Sequence, residues 1–579
     1  MSPLDRPPHE ATLAQVRASA PGASAWVAAN AGSGKTSVLT RRVARLLLDG
    51  CRPEKILCLT YTRAAAAEMQ ARLFKLLGEW SLQTDDRLAT TLRDLGLPGE
   101  PDRQALRRAR KLFAEALETP GGLKIQTIHA FCASLLRRFP LESGAPPGFS
   151  ELDDAARARM LDEIRDRLAA QAEAAPGAPF DAAAARLSEQ GLESLTAAIL
   201  GARDLFPEDP EPLLRAAFDL SPAAEYHSAL ARELSMTDPD DFARLVEAMC
   251  ASGPSDSRFG EALRPACEAL TTGDLAAAAR AMEAAGLRQD GGPRSLRSLP
   301  TKAVKAAHPW AEELVELIVS QAAELRALRL AHAGFDKAMD LHRYARAVLD
   351  LYAREKAREG VIDFDDLIRA AGALLTTSET AAWALWKLDG GLDHILIDEA
   401  QDTSPAQWAL VRAIAEEFLA GQGAQDRPRT VFAVGDEKQS IYSFQGAAPR
   451  EFGRMRAHFR EFLAAAAEAG EGTALQESSL DWSFRSAPSL LALVDAAFAD
   501  AAEALTADAE TPSHIAFHEQ APGRVDLWPL LETPERAEPP AWHLPVDTLP
   551  AQAPVLRLAD AVAAHVQEQI DTAPIPDRE

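Results

Sequence analysis

The sequence predicts an α/β fold, in which a parallel-sheet domain is split by a large all-helical insertion and followed by the start of a second domain of the same kind. Three observations predict it. A glycine-rich turn at 32–36 stands between a strand-like run and a helix-like run. Apolar strand-like segments return far downstream, at 394–397 and 430–434. The stretch between them is helical in pattern along most of its length, which a compact sheet domain does not need between its own strands.

Taken in order, residues 24–29 read as a short buried strand, and after the turn Leu39, Val43, Leu46 and Leu47 recur at helical spacing. Residues 56–60 repeat the pattern as a strand, with Ala65, Met69 and Leu73 on one face of the helix that follows. Two strand–helix units imply a parallel sheet. These elements define a first part of the sheet domain at 1–150 and a helical insertion at 151–350. The insertion is marked by Met160, Ile164 and Leu168 and broken at Pro/Gly stretches near 176, 207–212 and 291–300. A second part follows at 351–465. Past a Gly/Ala-rich spacer at 465–472, residues 473–579 read as the beginning of a second, incomplete domain. It contains a Pro-rich linker at 529–554 and a last helix carrying Leu556, Ala559, Val562 and Val566.

The chain has 579 residues and 47% hydrophobic content, enough for several cores. Its start is Pro-rich and polar, and no apolar run approaches the roughly 20 residues that span a bilayer. A cytoplasmic protein without membrane contact is the expectation. Cys51, Cys58, Cys132, Cys250 and Cys267 form no paired spacing, so neither disulfides nor a metal cluster are expected. The net charge of -25 excludes nucleic-acid binding by the surface at large, so contact with phosphates has to be local.

The segment Gly32-Ser-Gly-Lys-Thr, lying between strand and helix, has the makings of a phosphate loop. Its backbone N–H groups and the helix N-terminus cradle phosphates, Lys35 neutralises their charge, and the Thr36 hydroxyl ligates Mg²⁺. The nucleotide-binding stretch is Ala28, Ala29, Asn30, Ala31, Gly32, Ser33, Gly34, Lys35 and Thr36, with Ala29 where the usual pattern has its first glycine. The apolar run Ile395-Leu-Ile ends in Asp398-Glu399. This suits Asp398 to hold Mg²⁺ and Glu399 to orient and deprotonate an attacking water. By itself the pair is equally a polar strand end. Two basic groupings, at 107–111 and at Arg294, Arg297, Lys302 and Lys305, are either phosphate contacts or solvated faces.

The segments Asp398-Glu-Ala-Gln-Asp-Thr and Val434-Gly-Asp-Glu-Lys-Gln-Ser-Ile-Tyr-Ser-Phe-Gln-Gly resemble motifs II and III of the UvrD/Rep/RecB group of superfamily 1 helicases. Residues 59–69 and 126–131 resemble motifs Ia and Ib, and Leu480-Asp-Trp-Ser-Phe-Arg-Ser resembles motif IV. The resemblance implies RecA-like motor domains. It also implies that Gln15 reads the adenine edge, Gln439 senses the γ-phosphate, Phe484 stacks on adenine and Arg485 acts as an arginine finger. Tyr61, Thr62, His129 and Phe444 would then meet single-stranded DNA, although aromatic packing or an ordinary structural histidine accounts for such residues equally well outside their motifs.

Within the group the segments at 26–36, 139–144 and 439–446 are most similar to AddA-type helicase-nucleases. That resemblance implies an ATP- and Mg²⁺-dependent 3′→5′ translocase acting on broken DNA ends, in a heterodimer with an AddB-like protein. Nothing after Arg485 resembles motifs V and VI or the nuclease of that family. The expectation is therefore a front portion of the motor without nuclease activity, the alternative being a non-catalytic DNA- or partner-binding fragment.

Overall fold

The computed structural model describes residues 9–572, apart from 176, 222–224, 298, 377–380, 390, 421–427, 442–446, 471, 501–512 and 533–552. The chain resolves into two compact units, one made of Met1–Leu135 with Ala371–Glu579 and the other of Leu136–Ala370. The sequence boundaries at 150 and 350 thus fall inside the second unit. The strands of the chain are β1 (Ala25–Ala29), β2 (Ile56–Thr60), β3 (Lys124–Thr127), β4 (Ser150–Glu151), β5 (Val361–Ile362), β6 (His394–Ile397), β7 (Thr430–Gly435), β8 (Gln476–Leu480), β9 (Trp482–Ser483) and β10 (Ile515–Ala516).

In the first unit six strands form a parallel sheet in the order β3-β2-β6-β7-β1-β8. Sheets of this kind are covered on both faces, so both alternating sets of side chains have to be apolar. The runs Ile56-Leu-Cys-Leu and Val431-Phe-Ala-Val meet that demand, and every residue of β2, β6 and β7 is buried. Along β1 the alternation is visible residue by residue. Ala25, Val27 and Ala29 join a core with Val38, Val43, Leu73, Leu77 and Trp80, whereas Trp26 turns to the other face and stacks on Trp408 at 5.7 Å. In the helix Arg63–Leu82 the buried stripe is Ala66, Met69, Leu73, Leu77 and Trp80. Ala65, expected on that stripe, is only half-buried.

Two expectations for the distal end are corrected. The strand β8, assigned from sequence to a second domain, pairs with β1 from Ala25↔Gln476 to Ala29↔Leu480 and is the edge strand of the first sheet. Backbone pairing, which sequence pattern does not report, decides its membership. The Gly/Ala-rich spacer also begins later than expected, because Ala465 to Glu468 complete the helix Pro449–Glu468; alanine is the best helix former. Beyond it, β9 and β10 make a separate two-stranded parallel ribbon. The last expected helix is present as Pro554–Thr572.

Arg42, on the helix Lys35–Leu48, is fully buried. Its guanidinium donates to the carbonyls of Ala20 and Ala23 and, at 3.1 Å, to Thr430 Oγ1, and it lies over the Phe432 ring. Burial, reinforced by nearby Arg45, lowers its pKa to about 9, so it stays charged at neutral pH. It ties the helix Lys35–Leu48 to β7.

The second unit is built on the 49-residue helix Ala311–Glu359, about 74 Å long at 1.5 Å per residue. Val315, Ile318, Val319 and Leu325 serve one core on it, and Tyr344, Ala345, Val348 and Tyr352 another. Gly360 ends it in the left-handed region at φ 66°. Among the described residues of this unit the only strands are the two-residue β4 and β5, paired with each other.

Next to that helix end, Lys356 Nζ lies 2.8 Å from Asp363 and also pairs with Asp366, while Arg203 reaches Asp365 and Asp366. Burial alone would raise the Asp363 pKa, but the hydrogen bond and charge of Lys356, with Arg203, outweigh it and hold the carboxyl down at about 2. A carboxylate whose pKa is lower in the folded state adds stability above its unfolded value near 4, and that stability is lost as pH falls through the folded value. We expect the helical signal of residues 136–370 to weaken between about pH 4 and pH 2. Lys356→Met should destabilise the unit at neutral pH, by less than the about 3–5 kcal/mol of a fully stranded buried charge, because Arg203 still lies 3.5 Å from Asp363. Acid titration of both chains by circular dichroism checks this; identical transitions would sink it.

Candidate nucleotide-binding site

At the end of β1 the chain turns through Asn30 to Gly34 and enters the helix Lys35–Leu48. Gly32 and Gly34 have φ of +73° and +86°, a region that costs residues with a Cβ. Space is a second reason for glycine at both. A Cβ on Gly32 would lie 2.7 Å from Arg485 Cβ and 2.8 Å from Ser483 Oγ, and one on Gly34 2.8 Å from Gln15 Nε2. Gln15, on the helix Glu10–Ala18, donates to the Ser33 carbonyl at 3.0 Å. Ala29 is the buried strand end, Ala28 and Ala31 are exposed, and Thr36 is half-buried in the first helical turn. The Ser33 hydroxyl is buried with no hydrogen-bond partner among the described residues.

The carboxyl ends of β1, β7 and β6 bring the other predicted residues together, as expected where ligands bind outside the strand ends of an open parallel sheet. Lys35 Nζ is 2.7 Å from Glu399 Oε2 and 3.3 Å from Gln439 Oε1. Glu399 Oε2 also accepts from Gln401 Nε2 at 2.9 Å. Gln401 Oε1 accepts the backbone N–H of Asp436 at 2.9 Å, and Asp436 Oδ2 accepts from Gln439 Nε2 at 2.5 Å. Five residues thereby close a ring of hydrogen bonds. Glu399 has φ +49°, an uncommon backbone state for a residue with a side chain.

Asp398 is buried at the end of β6, and burial together with the adjoining Glu399 charge raises its pKa to about 6. Such a pair of carboxylates favours a cation between or beside them. Among the described residues no three His, Cys, Asp or Glu side chains converge as a metal cage. A hydroxyl at Thr36 and one carboxylate at Asp398, completed by phosphate oxygens, is the kind of donor set Mg²⁺ takes.

On the other side of the loop, the Phe484 N–H donates to the Gly32 carbonyl at 2.9 Å, and the Phe484 ring rests 4.4 Å from that of Phe517. Arg485 is exposed beside Gly32. Asn30 accepts from Lys438 Nζ at 2.9 Å and donates to the Ser513 carbonyl at 3.1 Å.

Tyr61 and Thr62 follow β2, and His129 follows its neighbour β3, so the two candidate DNA segments share one end of the sheet. Thr62 caps the helix Arg63–Leu82 by accepting from Ala65 N–H at 3.1 Å. Phe444 lies outside the described residues. Of the basic groupings, Arg108 is held by the Leu47 carbonyl and Arg110 by Asp85, and Lys305 pairs with Glu312. These three serve the fold. Sequence reasoning missed Gln401, Asp436 and Lys438, although all three lie in the quoted motif segments. A polar residue flanking a strand-end carboxylate was the available signal.

Fold and loop together define a P-loop α/β domain with paired carboxylates at the end of a neighbouring strand. Residues 11–460 match the model of the UvrD/REP helicase N-terminal domain. The chain belongs to the UvrD/REP helicase family. It is 26% identical over 478 residues to an ATP-dependent helicase/nuclease subunit of Lactiplantibacillus plantarum, covering 77% of this chain and 36% of that protein. The protein of the same name from Pelotomaculum thermopropionicum is 26% identical, covering 83% and 38%, and that from Levilactobacillus brevis 28%, covering 79% and 36%. The chain thus spans little more than a third of the length of these curated relatives. No described helix is long and apolar enough to cross a membrane.

Proposed function

We propose that this chain hydrolyses ATP to drive movement along single-stranded DNA, as part of a 3′→5′ helicase that processes double-strand breaks together with an AddB-like partner. The observation that carries the reading is the ring joining Lys35, Glu399 and Gln439 across three strand ends. It brings the Lys35 ammonium, the Glu399 carboxylate and the Gln439 amide to one point.

In this reading the loop N–H groups and Lys35 hold the β- and γ-phosphates. Glu399 takes the proton of the attacking water, Gln439 contacts the γ-phosphate, and Arg485 steadies the charge that spreads over the transferring phosphoryl group. Phe484 and Gln15 hold the adenine. Thr36 and Asp398 would hold Mg²⁺, which when bound neutralises phosphate charge. Tyr61, Thr62, His129 and Phe444 form the DNA track, where stacking contributes about 1–3 kcal/mol per base.

The test is steady-state hydrolysis with and without single-stranded DNA, beside translocation on strands labelled at either end. We expect DNA to stimulate turnover, label displacement in the 3′→5′ direction only, and Lys35→Ala to weaken ATP binding at least about 100-fold, the equivalent of roughly 2.7 kcal/mol. DNA binding without any turnover would instead favour a non-catalytic binding role.

A further inference from the structure

We infer that Gln401 is a positioning residue for hydrolysis, holding the Glu399 carboxylate in register with the loop that carries Gln439. This rests on the reading of Glu399 as the base. Gln401 is 1% exposed, and all its polar atoms are committed. The orientation of its amide is fixed chemically: the Asp436 backbone N–H can only donate, so the atom facing it at 2.9 Å is Oε1. The NH₂ group must then face the carboxylates, where it donates to Glu399 Oε2 at 2.9 Å and to Asp402 Oδ2 at 3.2 Å.

One side chain therefore joins the end of β6 to the end of β7, rigidly, because each end of the amide meets a partner of opposite polarity. With Oε2 of Glu399 taken by Gln401 and Lys35, the other carboxylate oxygen is the one left to meet a water. Gly435 shows how tight the junction is, since a Cβ there would fall 2.6 Å from Gln401 Oε1. A movement of Gln439 against a phosphate is passed through Asp436 and Gln401 to the carboxylate, and the reverse path is equally short. Positioned groups of this type lose efficiency steeply when their orientation is released.

The variant Gln401→Glu keeps the length and the acceptor for Asp436 N–H but removes the donor to Glu399. We expect kcat for DNA-stimulated hydrolysis to fall roughly 10–100-fold, the range for losing an orienting partner, with KM for ATP nearly unchanged and the melting temperature lowered, because the new carboxylate faces those of Glu399 and Asp402 in a buried position. In a Glu399→Gln background the same substitution should change single-turnover hydrolysis less than about two-fold, because a residue acting through Glu399 has nothing left to orient. Gln401→Met, which preserves bulk without either polar contact, should fall at least as far as Gln401→Glu. Equal fold-losses in both backgrounds, or a rise in KM with kcat kept, would overturn the inference while leaving the role of Glu399 intact. Full activity of Glu399→Gln would overturn both.

Discussion

Glu399→Gln should reduce DNA-stimulated ATP hydrolysis on the order of 10³-fold, within the range ascribed to a positioned general base, while ATP still binds. The substitution is nearly isosteric. Its amide oxygen can still accept from Lys35, which in the native chain lies 2.7 Å from the carboxylate, so the cation is not stranded. Loss of the negative charge also relieves the repulsion that contributes to raising the Asp398 pKa to about 6. The folded state is thus spared and only the proton acceptor is lost. Calorimetric ATP binding alongside single-turnover hydrolysis separates the two effects. Hydrolysis at the native rate would show that the water is activated elsewhere.

Arg485→Ala should have a comparable effect, on the order of 10³-fold in kcat, because an arginine placed on the transferring phosphoryl group contributes about that much or more. Arg485→Lys should not restore the rate, since an ammonium lacks the planar fork of donors. From sequence this arginine is expected to reach across from a second domain. The structure instead anchors its segment to the first sheet, through β8 beside β1 and through the Phe484 N–H on the Gly32 carbonyl. The guanidinium is exposed, so little packing has to be given up before it turns inward. Native turnover by Arg485→Ala would make it an ordinary surface residue.

Much of the fold was legible because it is written in short-range pattern. The apolar runs of β2 and β6 end where sequence placed them, at Thr60 and Ile397, since a strand buried on both faces reads as a nearly unbroken apolar run. The loop 32–36 was legible for a different reason: two glycines in a strand–helix junction are needed both for positive φ and for close approach. The second unit was recognised as helical from its periodicity, whereas its boundaries were displaced. Residues 136–150 and 351–370 look locally like continuations of either neighbour, and only which core they pack into separates them.

Within the site, residue types were legible and their partnerships were not. Asp398 and Glu399 stood out as charges after an apolar strand, but the orientation of Glu399 depends on Gln401, and that of Gln401 on a backbone N–H just past β7. The Phe484–Phe517 contact and the Asn30–Lys438 bond were invisible for the same reason.

What the amino-acid sequence by itself determined is therefore the local chemistry: a glycine loop ahead of a lysine, a strand ending in two carboxylates, and a helical insertion between them. What only the tertiary structure decided is how these groups meet. Lys35 and Gln439 are 404 positions apart, and Asn30 and Ser513 are 483 apart. Parallel strands bring their carboxyl ends to one edge of the sheet whatever the length of chain between them. Pattern along the chain carries no record of that adjacency, because strand order is settled by backbone pairing and packing and not by local preference.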